Sequence, residues 1–331
     1  MIDLSVVIPT HNRVDILGET LERLAAQKAE STFELVVVDD GSTASTVATL
    51  RSLAREVPVP MCVLEQAQRG PAAARNRGIE AARGAVCLFL GDDTRPEPGL
   101  IERHASFHRR TPEQEAALLG HVEWAPESCP SPLMEWLNTG VQFGFGEIAD
   151  AERVPGSYFY TANVSVKTAF VRAHRGFDEA FPHAAFEDLE LGFRLERAGM
   201  RLVYDSDAVV EHWHPVDLPA VLTRMRTLGR SAVLLHERFP SWPLGRRPGA
   251  RHRTKAALLT ALNLVPLHSA RLRHVTWRFL CHEAMREGSW DVEPRGESPL
   301  RIGSLLAQLA ARDPATWKSP LVARPPNSGR V

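Results

Sequence analysis

The chain has 331 residues, 44% of them hydrophobic and 24% charged, with a formal net charge of -1. This is ordinary globular composition, with length enough for one large domain and an appendage, and the near-zero charge gives no ground for nucleic-acid binding. Four scattered cysteines without a C-x-x-C pair exclude a disulfide framework and point to reduced thiols in a cytosolic setting.

Leu4 to Ile8 reads as a buried strand stopped by Pro9, and Ile16 to Gln27 carries its apolar residues at a helical period. Phe33 to Val38 is a second strand, apolar on both faces, followed by a helix over Ser45 to Arg55 and a strand over Met61 to Glu65. A helix with proline in its first turn covers Pro71 to Ala82, and Ala85 to Leu90 is a fourth strand. The alternation predicts an α/β fold, a mostly parallel Rossmann-like sheet flanked by helices. From about 100 to 160 the pattern loosens around Pro126, Pro130, Pro132, Gly140, Gly144 and Gly146, which predicts a long, mobile connection. Regular signals return with Tyr160 to Val166, a helix over Glu187 to Ala198, and short strands at Arg201 to Tyr204 and Ala208 to Val210.

Beyond Pro215 the character becomes helical. The expected division is a catalytic domain over 1–215, a helical C-terminal extension over 216–313, and a disordered tail over 314–331 rich in Pro, Ser and Arg. Between Arg246 and Arg278 there are eight Lys or Arg and no acid, around the apolar stretch Ala256 to Leu267. A cap on the first domain and a basic helix at an anionic membrane surface both fit it. No signal peptide opens the chain, and no apolar run reaches the ~18 residues of a membrane span. A cytoplasmic location is therefore expected, with peripheral contact to the inner face of the membrane left open.

In parallel sheets ligands gather at the carboxyl ends of the strands. Thr10-His11-Asn12 follows the first strand, Asp39-Asp40-Gly41-Ser42 the second and Asp92-Asp93 the fourth. A carboxylate pair there suits Mg2+ or Mn2+ against a diphosphate, because both are hard ions that take oxygen ligands. Gly70 to Gly78 is rich in small residues, which let backbone approach a ligand, and Arg75 can neutralise a phosphate. It matches neither the dinucleotide nor the P-loop signature. Glu187 and Asp188 lie in the first turn of a helix, where the dipole favours their anions and one can act as general base. His212 and His214 share one face of a strand. Each cluster alone is also compatible with a turn, a cap or a core residue.

In order along the chain, these clusters resemble the GT-A fold glycosyltransferases of family 2. The resemblance covers roughly residues 1 to 215. The opening Val6-Val7-Ile8-Pro9-Thr10-His11-Asn12-Arg13 is similar to the family's nucleotide-binding start. It implies that Pro9, Thr10, His11 and Asn12 line the nucleotide, with His11 stacking on uracil. Val-Asp-Asp-Gly-Ser implies Asp40 as acceptor of the base N–H, and Gly70 to Gly78 implies Gly70, Arg75 and Asn76 on the nucleotide sugar. Asp93 then stands as direct metal ligand, Asp92 nearer the ribose or diphosphate, and His212 closes the metal site. Gly91 replaces a further acid that many members carry. Gly176-Phe177-Asp178-Glu179 followed by Phe186-Glu187-Asp188 implies Asp188 as catalytic base. Asn163, Glu187 and Trp213 then line the sugar and acceptor pocket.

The implied activity is metal-assisted, inverting transfer of a sugar from a nucleoside diphosphate, UDP above all, to an acceptor hydroxyl. The acceptor is open between glycan, lipid-linked sugar, natural product and peptide. A non-catalytic nucleotide-sugar-binding module on the same fold is the alternative. A sugar nucleotidylyltransferase would need a Gly-rich signature near the first strand, and none is present.

Overall fold

A computed structural model describes residues 2–242 and 270–292. Eight strands, β1 (Leu4–Thr10), β2 (Phe33–Asp40), β3 (Met61–Gln66), β4 (Val86–Leu90), β5 (Thr94–Pro96), β6 (Ala116–Trp124), β7 (Asn163–Lys167) and β8 (Arg201–His212), form one sheet in the order β3-β2-β1-β4-β7-β6-β8-β5. β3, β2, β1 and β4 are mutually parallel, as the alternation predicts. β7 then enters antiparallel between β4 and β6, and β5 lies antiparallel on β8. The sheet is therefore mixed, and its parallel half carries the strand ends where the polar clusters fall.

Period-two alternation feeds two cores. Val7, Val36, Val38 and Phe89 face α3 (Pro71–Ala81), α6 (Thr168–Ala173) and α7 (Glu187–Arg197). Val6, Ile8, Leu35 and Val37 face α1 (Val14–Ala25), α2 (Ala44–Glu56) and α4 (Leu100–Arg110). β1, β2 and β4 are thus covered on both sides, as their apolar runs require, while β3 at the sheet edge is only partly buried.

The stretch predicted as a loose connection is ordered through much of its length. It holds α4, β6 and α5 (Pro132–Leu137). β6 runs between β7 and β8, and against Gly120/His121 β8 passes from Asp205 to Val209, so the extra residues of this register shift lie on β8. Those extra residues separate the two short strands expected near 201–210, which the structure joins as one strand, β8.

After the sheet the chain enters α8 (Leu218–Arg238), capped by Asp217, whose carboxylate accepts from Ala220 N at 2.9 Å. α8 pairs with α9 (Ala270–Val292). Leu222 and Met225 of α8 and Trp277 and Leu280 of α9 bury a cluster with Trp136 of α5 and Trp124 of β6. The apolar stretch Ala256 to Leu267, the basic residues before it and the tail from 314 lie outside the described residues. None of the described helices is long and apolar enough to cross a membrane.

Candidate active site

β4 delivers Asp92 and Asp93 to the carboxyl edge of the sheet, and β1 delivers Thr10 and Arg13 beside them. Thr10 Oγ1 donates to Asp92 Oδ2 at 2.9 Å. The Arg13 guanidinium straddles the pair, with Nη1 2.9 Å from Asp92 Oδ1 and Nη2 2.8 Å from Asp93 Oδ2. The antiparallel pairing of Thr94 with His212 brings β8 to the same place, and Trp213 N donates to Asp93 O at 2.8 Å. His212 Nε2 then lies 3.3 Å and His214 Nδ1 3.8 Å from Asp93 Oδ2. Burial alone would raise Asp93, but His212 and Arg13 outweigh it and hold the carboxyl well below its ordinary range. Asp92, penalised by burial and by the Asp93 charge, moves up. Arg13 belongs to the N-terminal motif, yet sequence reasoning gave it no task.

The neighbouring loops are stapled together. Asn12, in the left-handed region at φ 53°, donates its N–H to Ser42 Oγ at 2.7 Å and accepts from Thr43 N on Oδ1 at 2.9 Å. His11 Nδ1 donates to the Asp40 carbonyl at 2.8 Å, which leaves Nε2 as acceptor for Asn12 Nδ2 at 3.0 Å. The ring is fixed between two strand ends. Asp40 accepts from Gln66 Nε2, Arg69 N and Gly70 N, each at 2.8 Å, so its carboxylate ties down the loop before α3. One acceptor direction on Oδ2 remains.

The small residues of α3 serve helix-to-sheet packing. Ala72, Ala73, Ala74 and Gly78 are buried, Gly78 against Val7. Gly70 has φ 91°, and a Cβ there would collide with the Pro182 carbonyl. Gly70→Ala should therefore lower stability by about 1–3 kcal/mol in urea unfolding, with a matching loss of UDP affinity because Gly70 N holds Asp40.

Two residues assigned to the nucleotide sugar have other partners. Arg75 is buried, with Nη1 2.7 Å from Glu187 Oε1 and its plane 5.4 Å from the Phe177 ring centre. Asn76 clamps the Gly176–Glu179 segment, exchanging hydrogen bonds with Phe177 N and O at 2.8 and 2.9 Å. The Arg75–Glu187 pair locks α3 to the first turn of α7. Ahead of that turn Phe186 is held at φ 68°, a costly conformation for a non-glycine residue. Asp188 follows, pushed up to about 7 by burial and by the Glu187 charge, with Arg75 and Arg224 acting against the shift. Arg224 is exposed on α8, has no ion pair among the described residues, and also lowers His214. Its charge thus reaches both His214 and the α7 acid, a link that sequence spacing does not reveal.

Two residues expected in the pocket have partners within the chain. Asn163 is 0% exposed; its amide donates to His121 O and Ala208 O at the β6–β8 register shift and meets His104 Nε2 at 3.0 Å. It satisfies backbone groups that the irregularity leaves unpaired. Trp213 directly follows β8 and is half-buried, with the Arg95 guanidinium 3.9 Å from its ring centre.

A family model described as Glycosyl transferase family 2 matches residues 5–140. Residues 5–140 belong to glycosyltransferase family 2. The chain is 30% identical over 239 residues to the validoxylamine A glucosyltransferase of Streptomyces hygroscopicus subsp. jinggangensis, covering 62% of this chain and 54% of that protein. It therefore spans about half the length of such curated relatives. Among solved structures, S. aureus TarS 1-349 in complex with UDP superposes with a TM-score of 0.53 at 20% identity, covering 87% of this chain and 92% of that one. The mannosyltransferase PcManGT from Pyrobaculum calidifontis, in complex with GDP-Man and Mn2+, superposes with a TM-score of 0.54 at 17% identity, covering 93% and 79%. These likenesses establish the GT-A architecture.

The donor chemistry around Asp93 fits a divalent cation. One carboxylate oxygen faces two imidazole nitrogens, a mixed oxygen–nitrogen set that a divalent first-row metal ion accepts. Among the described residues no three such side chains are yet gathered as a metal cluster, since Arg13 takes the same Oδ2. His212 Nδ1 is buried without a hydrogen-bond partner; the ring is steadied by Trp124, stacked 5.2 Å away. Gly91 is explained by crowding: a Cβ there would sit 2.8 Å from Asp93 Oδ1.

Proposed function

We propose that the chain is a glycosyltransferase that moves a sugar from a UDP-sugar to an acceptor hydroxyl by metal-assisted, inverting displacement. The observation that carries this reading is the Asp93 carboxylate, ionised beside two imidazoles and a guanidinium at the carboxyl edge of the parallel strands. Membership in family 2 supports the reaction class. The UDP in the TarS structure and the Mn2+ and nucleotide sugar in the PcManGT structure support the donor type and the cation. The catalytic unit is taken as 1–215, with the helices from 216 as its extension.

The base side of the nucleotide would meet Pro9, Thr10, the fixed His11 ring and the free direction of Asp40. Asp93 and His212, with His214 in reach, would hold the cation, which supplies positive charge to the departing diphosphate. Asp188 accepts the proton of the acceptor hydroxyl. That oxygen bonds to the anomeric carbon as the carbon–oxygen bond to the diphosphate breaks, and the diphosphate leaves with the electron pair. An α-linked donor gives a β-linked product. Arg224, unlike Arg75 and Arg13, is not consumed by an internal acid and adds charge over the cleft.

The test is nucleoside diphosphate release from a panel of UDP-, GDP- and dTDP-sugars. A UDP-sugar should be consumed, EDTA should abolish turnover and added Mn2+ or Mg2+ should restore it. Turnover unchanged in EDTA removes the metal from the mechanism. UDP binding in titration without consumption of any donor would leave a nucleotide-sugar-binding module.

A further inference from the structure

Arg13 stands in direct competition with any cation that Asp93 would bind. Its Nη2 takes Oδ2 of Asp93 at 2.8 Å, the oxygen that His212 and His214 approach at 3.3 and 3.8 Å, while Nη1 takes Oδ1 of Asp92 at 2.9 Å. A planar guanidinium bridging two carboxylates is a strong, well-oriented contact. It is also removable. Arg13 precedes α1 without capping it through its side chain, and that side chain is 33% exposed against 8% and 13% for the two acids. The backbone just before it is tied to the nucleotide side of the site. Asn12 is pinned to Ser42 and Thr43, and His11 to the Asp40 carbonyl.

We propose that Arg13 is an internal counter-ion that holds the acid pair until a nucleoside diphosphate draws its guanidinium off, so that cation binding depends on nucleotide binding. The inference rests on the transferase reading. The acid pair carries two negative charges and the guanidinium neutralises one, so a divalent cation meets a half-compensated site and must displace an ion pair. A diphosphate offers Arg13 an alternative anion and releases Oδ2. The same residue therefore weakens binding of the cation alone and strengthens binding of the nucleotide alone.

Those opposite signs set the experiment, which needs no turnover. Mn2+ binding without nucleotide is followed by electron paramagnetic resonance, and UDP binding in EDTA by calorimetry, for the wild-type chain and Arg13→Met. The variant should bind Mn2+ alone about tenfold or more tighter, within the 5–150-fold usual for coupled sites, and should bind UDP alone more weakly. Arg13→Lys, whose single ammonium cannot bridge both carboxylates, should show both shifts at smaller size, and carries the test if Arg13→Met does not fold. A purely structural role would weaken both ligands together, and that result, or unchanged Mn2+ affinity, overturns the proposal. If wild-type protein binds Mn2+ with UDP but the variants gain nothing, this inference alone falls. If wild-type protein binds no Mn2+ even with UDP, the metal-assisted reading falls with it.

Discussion

Asp188→Asn is expected to lower turnover about 10²–10⁴-fold, the range for a lost general base, while raising the melting temperature. The two effects share one cause. Burial and the Glu187 charge push Asp188 up to about 7 from an ordinary 3.8. The folded chain therefore binds a proton more readily than the unfolded chain between those values. The stability contributed by the protonated carboxyl is fully present below about 4 and is lost as pH rises through about 7. At pH 8 the ionised Asp188 is a cost to the fold, and the neutral amide removes it, for a gain of roughly 2–4 °C. Activity runs the other way: kcat/KM should climb with pH through about 7, since only the carboxylate accepts a proton. Scanning calorimetry at pH 5 and pH 8, together with a pH–rate profile, checks both. Turnover within about tenfold of wild type would remove Asp188 from the base role.

Arg75→Met should be the most damaging single change to stability outside the hydrophobic core. It leaves Glu187, 2% exposed, without its buried cation, and breaking one side of such a pair costs about 3–5 kcal/mol. Glu187→Gln in the same chain should recover most of that loss, because no uncompensated charge then remains. The recovery distinguishes an ion pair from a phosphate ligand. If Arg75 instead contacted the diphosphate, Arg75→Met would weaken UDP binding with little change in the urea midpoint, and Glu187→Gln would not rescue it. Urea unfolding of the three variants beside UDP calorimetry separates these outcomes.

The parallel half of the sheet was legible because each strand is an uninterrupted apolar run ending in polar residues. Val36-Val37-Val38 before Asp39-Asp40 and Val86 to Leu90 before Asp92-Asp93 declare both the strand and its functional end. The helix start at Glu187-Asp188 was equally plain. β6 was not: its partners β7 and β8 lie far along the chain, and β8 itself is interrupted between Asp205 and Val209 where it pairs with Gly120 and His121.

By itself, then, the sequence determined the strands and helices of the parallel half and the set of acids at the strand ends, because local periodicity and turn chemistry act over a few residues. The tertiary structure decided which cation neutralises which acid. Arg13 reaches Asp93 across 80 residues and Arg75 reaches Glu187 across 112, and charge pairing over such separations is fixed only by the distances that the folded sheet imposes.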